Sequence, residues 1–486
     1  MITIENVCFH YKEAPEQCLH DVSLHINRGE CVLLCGESGC GKTTLTRLIN
    51  GLIPHFYEGT FNGKVQVKGH DITSTKPEAL AHIVGSVFQN PRSQFFNLDT
   101  TGEIAFGCEN LGVPTKKIRE RVQAAAEALG IENLLDRDIF ALSGGEKQKI
   151  AVASAYALNP DIFVFDEPSS NLDHSACWEL STLMKRLKAK GKTLIVAEHR
   201  LYYLSEIFDR VIYLKGGQIL HEWSKDEFLS FSAKKRESLG LRTISFYNPP
   251  SANIPLPLPA ALCVNDMTAH YKHKKEVIKN VSFQASPGEI IGIVGKNGQG
   301  KSTLARAICG LHKKNSGTVM LYEKEVKTRA RAGPCYLVMQ ESGYQLFTDS
   351  VGHELRLSKS KKKRPSNEKI DAILDSLHLT ALRNRHPMSL SGGEKQRTAI
   401  GTAMAHDAQV LIFDEPTSGL DFANMCRVVD VLKQLSNSGK IIFVITHDFE
   451  LLARVCTRIF MLKDRKLVKD SPLNEKTIKL MEEYFS

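Results

Sequence analysis

Two glycine-rich segments have the residue types and spacing of a loop that binds phosphate. Residues 36–44 read Gly-Glu-Ser-Gly-Cys-Gly-Lys-Thr-Thr, and residues 295–303 read Gly-Lys-Asn-Gly-Gln-Gly-Lys-Ser-Thr. Glycines let backbone N–H groups wrap around a phosphate, the lysine adds positive charge, and the next hydroxyl can hold Mg²⁺. The candidate nucleotide ligands are Gly36, Ser38, Gly39, Gly41, Lys42, Thr43 and Thr44 in the first copy, and Gly295, Asn297, Gly298, Gly300, Lys301, Ser302 and Thr303 in the second.

Two adjacent carboxylates follow an apolar run in each copy. These are Asp166-Glu167 after residues 162–165, and Asp414-Glu415 after residues 410–413. An apolar strand that ends in Asp-Glu would place both carboxylates at the carboxyl edge of a parallel sheet, where α/β folds bind their ligands.

Four further polar residues recur at the predicted ends of strands. Gln89 and Gln340 are candidate Mg²⁺ ligands and sensors of a γ-phosphate. His199 and His447 follow apolar runs, so we expect them beside the Asp-Glu pairs and within reach of the same phosphate.

An aromatic residue closes the first strand pattern of each copy. Tyr11 and Tyr271 could stack on a purine ring, or each could be a core aromatic. Their paired occurrence favours the stacking interpretation.

The sequence Leu-Ser-Gly-Gly-Glu precedes a predicted helix at residues 142–146 and again at 390–394. A Ser-Gly-Gly turn at a helix start presents free backbone N–H groups, which bind anions. The candidate residues are Ser143 and Gly145, and Ser391 and Gly393. From this motif to the histidine, the second copy follows the first at one constant offset, which indicates a duplicated domain.

These motifs need apolar strands and amphipathic helices to position them, and the 486 residues supply two such sets. The sequence predicts a first domain at residues 1–232, a proline-rich linker at 233–260 and a second domain at 261–486. We expect helices at residues 45–52, after the first phosphate loop, and at residues 116–130.

Composition is ordinary for a globular protein, with 42% hydrophobic residues, 24% charged residues and a net charge of +9. The apolar runs are too short to cross a bilayer. The N-terminal residues have no pattern of a secretory signal. The scattered cysteines are interpreted as reduced thiols.

Five of these features are present in order and twice, namely the phosphate loop, the glutamine, the Leu-Ser-Gly-Gly-Glu sequence, the Asp-Glu pair and the histidine. Together they resemble the nucleotide-binding domains of ABC ATPases. The resemblance implies an α/β fold of two tandem ABC-type phosphate-loop NTPase domains. Each would have a mainly parallel sheet core, an antiparallel β subdomain and a helical signature subdomain. It also implies that the chain hydrolyses ATP with Mg²⁺, and that the halves pair head to tail. Lys42 would then face Ser391 and Gly393, and Lys301 would face Ser143 and Gly145.

The same resemblance implies roles for the remaining site residues. Thr43 and Ser302 would hold Mg²⁺, supported through water by Asp166 and Asp414. Glu167 and Glu415 would polarise the attacking water. The glutamines would sense the γ-phosphate, and the histidines would contact it. Because both copies keep these residues, two competent sites are expected.

The segments that begin at the two glutamines resemble a narrower class of ABC ATPases. Residues 89–96 and 340–347 carry a second glutamine five positions on, followed by apolar residues. These segments, and residues 50–59, look like the ATPases of energy-coupling-factor importers of vitamins, vitamin precursors or transition metals. That resemblance implies an integral membrane coupling subunit and a solute-binding membrane subunit as partners, no nucleic acid, and a place on the cytoplasmic face of the membrane.

Two other classes of protein stay open on the sequence. A tandem ABC ATPase that acts on ribosomes or nucleic acid is disfavoured by the short proline-rich join. A regulatory scaffold without hydrolysis is disfavoured by the presence of both glutamates.

Overall fold

A computed structural model describes residues 1–12, 17–245, 259–271, 276–313, 315–357 and 364–485. The chain divides into two compact units, Met1–Ser245 and Phe246–Ser486. Among the described residues, no helix combines the length and the apolar character that a membrane crossing needs.

The first unit contains two sheets and nine labelled helices within its described residues. Its strands are β1 Ile2–Tyr11, β2 Leu19–Ile26, β3 Cys31–Gly36, β4 Gly59–Val67, β5 His70–Asp71, β6 Val84–Val87, β7 Ile162–Asp166, β8 Thr193–Ala197, β9 Arg210–Lys215 and β10 Gln218–Ser224. Its helices are α1 Lys42–Ile49, α2 Leu52–His55, α3 Pro77–Ala81, α4 Thr100–Asn110, α5 Thr115–Leu129, α6 Gly144–Ala157, α7 His174–Ala189, α8 Lys225–Leu229 and α9 Ala233–Ser238.

The second unit repeats this architecture. Its strands are β11 Leu262–His270, β12 Glu276–Ala285, β13 Ile290–Val294, β14 Asn315–Leu321, β15 Lys324–Glu325, β16 Cys335–Val338, β17 Val410–Asp414, β18 Ile441–Ile445, β19 Arg458–Lys463 and β20 Lys466–Pro472. Its helices are α10 Lys301–Ile308, α11 Val351–Leu355, α12 Asn367–Ser376, α13 Gly392–Ala405, α14 Phe422–Asn437, α15 Phe449–Val455 and α16 Glu475–Phe485.

The predicted mainly parallel sheet and antiparallel subdomain are confirmed in each unit. The large sheet of the first unit has the order β10-β9-β3-β8-β7-β6, in which only β10 is antiparallel to its neighbour. The small sheet, β2-β1-β4-β5, is antiparallel. The second unit has the corresponding orders β20-β19-β13-β18-β17-β16 and β12-β11-β14-β15.

Side chains on the two faces of the large sheet enter two separate cores. On β7, Ile162 and Val164 pack with the small sheet and α1, whereas Phe163 and Phe165 pack with the helical face. Successive strand residues point to opposite faces, so a strand buried on both sides is apolar throughout. Burial of each such side chain contributes about 1.5–3 kcal/mol, and the two cores hold the sheet edge in place.

The helix after the first phosphate loop begins earlier than the sequence pattern predicts. The expected range was 45–52, but α1 is Lys42–Ile49, because Gly41 adopts a left-handed conformation and the helix starts at the lysine itself. It ends at Ile49 and is capped by Asn50, before Gly51, whose φ of 73° is also left-handed. The expected helix at 116–130 is confirmed as α5.

The predicted linker begins too early. Helix α9 and residues up to 245 belong to the first unit, where Leu241 is buried in the helical core and Tyr213 donates a hydrogen bond to the Leu239 carbonyl. Residues 246–258, which include most of the proline-rich join, lie outside the described residues.

Candidate active sites

The phosphate loops lie where the central strand of each large sheet ends. Gly36 ends β3 with a φ of 143°, and a Cβ there would lie 2.1 Å from the Leu214 carbonyl oxygen, so only glycine fits. Lys42 is 4% exposed, and its Nζ donates to the carbonyls of Gly36 at 3.0 Å and Glu37 at 2.9 Å. Carbonyl groups of the loop itself thus hold the lysine at the end of β3.

The second phosphate loop repeats this geometry. Lys301 Nζ donates to the carbonyls of Gly295 at 2.5 Å and Lys296 at 3.1 Å. Gly298 and Gly300 have φ values of 79° and 92°, which favour glycine. The predicted residues of both loops therefore come together as a backbone cradle at a helix N-terminus, the arrangement that binds phosphate.

The hydroxyl after each lysine meets the first carboxylate of the Asp-Glu pair. Thr43 Oγ1 donates to Asp166 Oδ1 at 3.0 Å. Burial, and then the charge of Glu167, raise the pKa of Asp166 to about 6, although the Thr43 hydrogen bond opposes this. Burial also raises the pKa of Asp414, against a hydrogen bond from Ser302. A carboxylate beside a hydroxyl is a pair of hard oxygen donors suited to Mg²⁺.

The second carboxylate of the first unit lies between the glutamine and the histidine. Gln89 Nε2 donates to Glu167 Oε2 at 2.8 Å, and His199 Nε2 is 3.3 Å from Glu167 Oε1. Glu167 has a φ of 45°, a conformation that is uncommon for a residue with a side chain. The sheet edge thus gathers the three residues, as predicted.

The second unit holds its glutamate through other partners. Thr446 Oγ1 donates to Glu415 Oε2 at 2.9 Å, and the His447 backbone N–H donates to Oε1 at 3.2 Å. His447 Nε2 is 3.8 Å from Glu415 Oε1 and 3.2 Å from Asn297 Oδ1 in the phosphate loop. Gln340 follows β16, as Gln89 follows β6.

The two predicted base-stacking tyrosines lie against the first turn of the phosphate-loop helices. The Tyr11 hydroxyl is 3.2 Å from Thr44 Oγ1 and accepts a hydrogen bond from Arg47 at 3.0 Å. The Tyr271 hydroxyl is 3.4 Å from Thr303 Oγ1, and this tyrosine is 39% exposed. Neither is fully buried, but contact with a purine stays a prediction.

Both Ser-Gly-Gly motifs begin a helix with a capping box. The Ser143 hydroxyl accepts from the Glu146 N–H while the Glu146 carboxylate accepts from the Ser143 N–H, and Ser391 and Glu394 do the same. Gly145 and Gly393 lie in the first turns of α6 and α13. Their predicted pairing with the other half stays a prediction.

Sequence reasoning did not assign the role of two kinds of polar support, a half-buried second glutamine and a buried acid in each unit. The second glutamine of each turn is a clamp: Gln94 accepts from the Phe88 N–H and donates to the Ser86 carbonyl, and Gln345 does the same with Met339 and Leu337. Glu198 and Asp448, beside the histidines, are buried. The glutamine spacing was a usable signal, whereas the two acids stand at different places in the two copies and gave none.

Comparison with known proteins adds to this geometry. A family model described as "ABC transporter" matches residues 19–170 and 278–418. A Treponema denticola protein named "Putative ABC transporter ATP-binding protein" is 46% identical, with 97% of each chain covered. The Bacillus subtilis "Putative HMP/thiamine import ATP-binding protein YkoD" is 32% identical, covering 97% of this chain and 91% of the relative.

One solved structure described as ribosome-bound archaeal Pelota and ABCE1 has a TM-score of 0.70. It is 24% identical to this chain, and the match covers 98% of this chain and 80% of that one. At this level of identity the similarity shows a shared fold.

Proposed function

This chain belongs to the ABC transporter family and is an ATPase with two tandem ATP-binding domains, and we propose that it energises a membrane importer of the energy-coupling-factor type. In this proposal it lies on the cytoplasmic face of the membrane, bound to an integral coupling subunit that works with a solute-binding membrane subunit. Nucleic acid is not among its proposed partners.

The observation that carries the proposal is an exposed apolar surface beside each ATP site. In the first unit it contains Phe96, Leu98 and Phe140, which are 72%, 72% and 75% exposed. The Ile139 N–H donates to the Leu98 carbonyl, so the two segments are adjacent. Exposed apolar patches of this kind mark interaction sites. We call these three residues the first apolar surface.

The backbone beneath this surface is fixed by buried polar groups. The Glu103 carboxylate accepts from the N–H groups of Phe96 and Asn97 at 2.9 and 2.8 Å, and Gln94 clamps the preceding strand end. This same segment begins with Gln89, which contacts Glu167. A partner bound to the apolar surface would therefore contact a short, hydrogen-bonded segment that leads directly to Glu167.

The second unit also exposes apolar side chains in the two corresponding segments. Tyr344, Phe347 and Met388 are 71%, 77% and 59% exposed, and we call them the second apolar surface. The Glu354 carboxylate accepts from the Phe347 and Thr348 N–H groups, each at 2.9 Å. Two such surfaces in one chain fit two cytoplasmic segments of a membrane subunit.

The proposed chemistry follows from the site residues. Lys42 and Lys301 neutralise phosphate charge, and Glu167 and Glu415 accept a proton from the attacking water at a carboxylate oxygen. We infer that Thr43 with Asp166, and Ser302 with Asp414, hold Mg²⁺, with Gln89 and Gln340 as further ligands. When bound, this ion would add positive charge next to the transferred phosphate.

We also propose that each ATP lies between the halves, with Lys42 facing Ser391 and Gly393, and Lys301 facing Ser143 and Gly145. Glu415→Gln leaves hydrolysis to Glu167, so in that background Ser391→Arg should abolish steady-state turnover. Ser143→Arg should not, because it belongs to the site that is already disabled. The reverse pattern would contradict head-to-tail pairing.

Affinity co-purification from detergent-solubilised membranes, followed by mass spectrometry, tests the importer function. We expect a multi-helix membrane subunit and a small integral solute-binding subunit. Recovery of ribosomes or nucleic-acid proteins without a membrane partner would overturn the proposal and favour the alternative, a tandem ATPase acting on ribosomes or nucleic acid.

Variants of the apolar surfaces sharpen this experiment. Replacing Phe96, Phe140, Phe347 and Met388 by serine should remove the membrane subunits while ATP hydrolysis by the isolated chain continues. Val468→Ser is the control, because Val468 is 53% exposed but lies on β20, outside the segments that resemble the importer ATPases. Equal recovery from the quadruple variant and the control would contradict docking at these surfaces. The solute itself would be identified through the small membrane subunit.

A further inference from the structure

A buried carboxylate stands next to the site histidine in each unit, but at different places in the sequence. In the first unit it is Glu198, immediately before His199, and it is 2% exposed. In the second unit it is Asp448, immediately after His447, and it is 5% exposed. Buried charges are costly unless they are hydrogen-bonded, so both are expected to have a structural or functional role.

Glu198 anchors the loop that follows the first catalytic glutamate. Its Oε1 accepts from the Ser169 hydroxyl, from the Ser169 N–H at 3.2 Å and from the Tyr203 hydroxyl at 2.8 Å. Its Oε2 accepts from the His199 N–H at 2.7 Å. One carboxylate therefore ties residue 169 to the backbone of the site histidine.

Arg200 anchors the same loop from the carbonyl side. Its guanidinium donates to the carbonyls of Ser169 at 3.3 Å and Leu172 at 3.0 Å. Glu198 thus binds donor groups of this short loop, and Arg200 binds acceptor groups of the same loop. The loop begins directly after Glu167, whose own N–H donates to the Ala197 carbonyl at 2.8 Å.

Asp448 makes the corresponding contact in the second unit. Its Oδ2 accepts from the hydroxyl of Thr417, the residue that corresponds to Ser169, at 2.6 Å. Its Oδ1 accepts from the Leu451 N–H at 3.2 Å. Asp448 corresponds in sequence to Arg200, and Thr446 corresponds to Glu198. At the position of Glu198 the second unit therefore has Thr446, whose hydroxyl donates to Glu415.

We propose that Glu198 is a positioning residue for hydrolysis in the first unit, and that Asp448 is its functional counterpart in the second. Each fixes the loop after the catalytic glutamate and so sets where the water-activating carboxylate lies. The inference rests on ATP hydrolysis by this family and is independent of the importer assignment. It predicts that hydrolysis in the first unit is preserved when the residues of this network are replaced together by their counterparts from the second unit.

The test transplants that set into the first unit. Glu415→Gln serves as the parent, so that hydrolysis is left to Glu167, and kcat and KM for ATP are measured. Glu198→Thr should lower kcat by about 10- to 100-fold, because small errors in the placement of a reacting group have effects of that size. KM should change little, since the phosphate loop is untouched. Glu198→Gln should lower kcat in the same direction.

The transplant Glu198→Thr/Arg200→Asp/Tyr203→Leu should restore most of the lost kcat. The third change is included because Leu451 corresponds to Tyr203, whose buried hydroxyl would otherwise lose its acceptor. Glu206→Gln, at an exposed glutamate of the same segment, is the matched control and should match the parent. Thermal midpoints and ATP affinity are measured for every variant.

Three results would overturn the proposal. The first is a Glu198→Thr variant with the kcat of its parent. The second is a folded, ATP-binding transplant that is no faster than Glu198→Thr. The third is a transplant that fails to fold, because the second unit's arrangement would then not suffice. A purely stabilising role would lower the thermal midpoint in Glu198→Thr without lowering kcat.

Discussion

The two glutamates proposed to be catalytic, Glu167 and Glu415, occupy the same strained backbone position but have different neighbours. Both lie in the left-handed region, with φ values of 45° for Glu167 and 52° for Glu415. Such conformations cost about 1–3 kcal/mol and persist where surrounding contacts enforce them. In the first unit the carboxylate contacts the Gln89 amide, and in the second the Thr446 hydroxyl. The two ATP sites therefore have unequal surroundings although their motif residues match.

The raised pKa of Asp166 gives a prediction for stability against pH. Its carboxyl has a pKa of about 6 in the folded protein and an ordinary value of 3.8. Between these values the folded state binds more protons than the unfolded state, so this group's contribution to stability falls as pH rises and stays unfavourable above about 6. Asp166→Asn should therefore raise the thermal midpoint of the nucleotide-free protein most at pH ~8, and less towards pH ~5.

Asp375 is exposed, so Asp375→Asn is the control and should not raise the thermal midpoint more at pH ~8 than at pH ~5. Differential scanning calorimetry at several pH values gives the measurement. A gain from Asp166→Asn that grows as pH falls would contradict the burial argument.

At the residue scale, the sequence predicted the groups with chemical roles better than the groups that hold them. Lys42, Thr43, Asp166 and Glu167 meet because their strands end at one edge, which motif spacing indicates. Support by Glu198 depends on a contact with Ser169, a residue far away in sequence. No single-residue pattern encodes such a contact, so it needed the structure.

At the scale of elements, α6 and α13, which begin at the two Ser-Gly-Gly motifs, pack differently against the segments that follow Glu167 and Glu415. A Cβ on Gly145 of α6 would lie 2.8 Å from the Ala176 Cβ on α7. A Cβ on Gly393 of α13 would meet the Leu420 Cδ2 at 3.4 Å, near ordinary contact. The same glycine is thus needed for close helix packing in the first unit and much less so in the second.

This difference predicts unequal stability effects for one substitution. Gly145→Ala should lower the free energy of unfolding of the first unit by about 1–3 kcal/mol, the usual range for an overpacked contact. Gly393→Ala is the matched control and should have a clearly smaller effect on the second unit. Urea unfolding of nucleotide-free protein measures both. Equal effects, or a larger one at Gly393, would contradict the packing argument.

Element boundaries were predicted where a single physical signal dominated. The apolar strands and α5 match their expected ranges because burial sets their pattern. Helix α1 starts earlier than its apolar pattern because the phosphate loop itself fixes the first turn. Helix α9 falls within the range predicted as a proline-rich linker, yet its neighbours Phe231 and Leu241 are core residues.

At the scale of the whole molecule, duplication was the strongest sequence signal. It predicted two units with the same strand order, and the two large sheets have it. It could not reveal how far the copies have diverged, because the exchanged residues, such as Arg200 and Asp448, look like ordinary substitutions. Their roles are visible only in their contacts, which are the Ser169 and Leu172 carbonyls for Arg200 and the Thr417 hydroxyl for Asp448.

We propose that ATP hydrolysis by this chain depends on Glu167 and Glu415. The most direct test is steady-state ATP turnover of the Glu167→Gln/Glu415→Gln chain, beside both single variants and an exposed control, Glu120→Gln. We predict that the double variant loses about 10²–10⁴-fold in turnover, the usual contribution of a general base. It should still bind ATP and accumulate in the ATP-bound state, and each single variant should keep measurable turnover. A double variant that hydrolyses ATP at the rate of the unaltered chain would contradict the account.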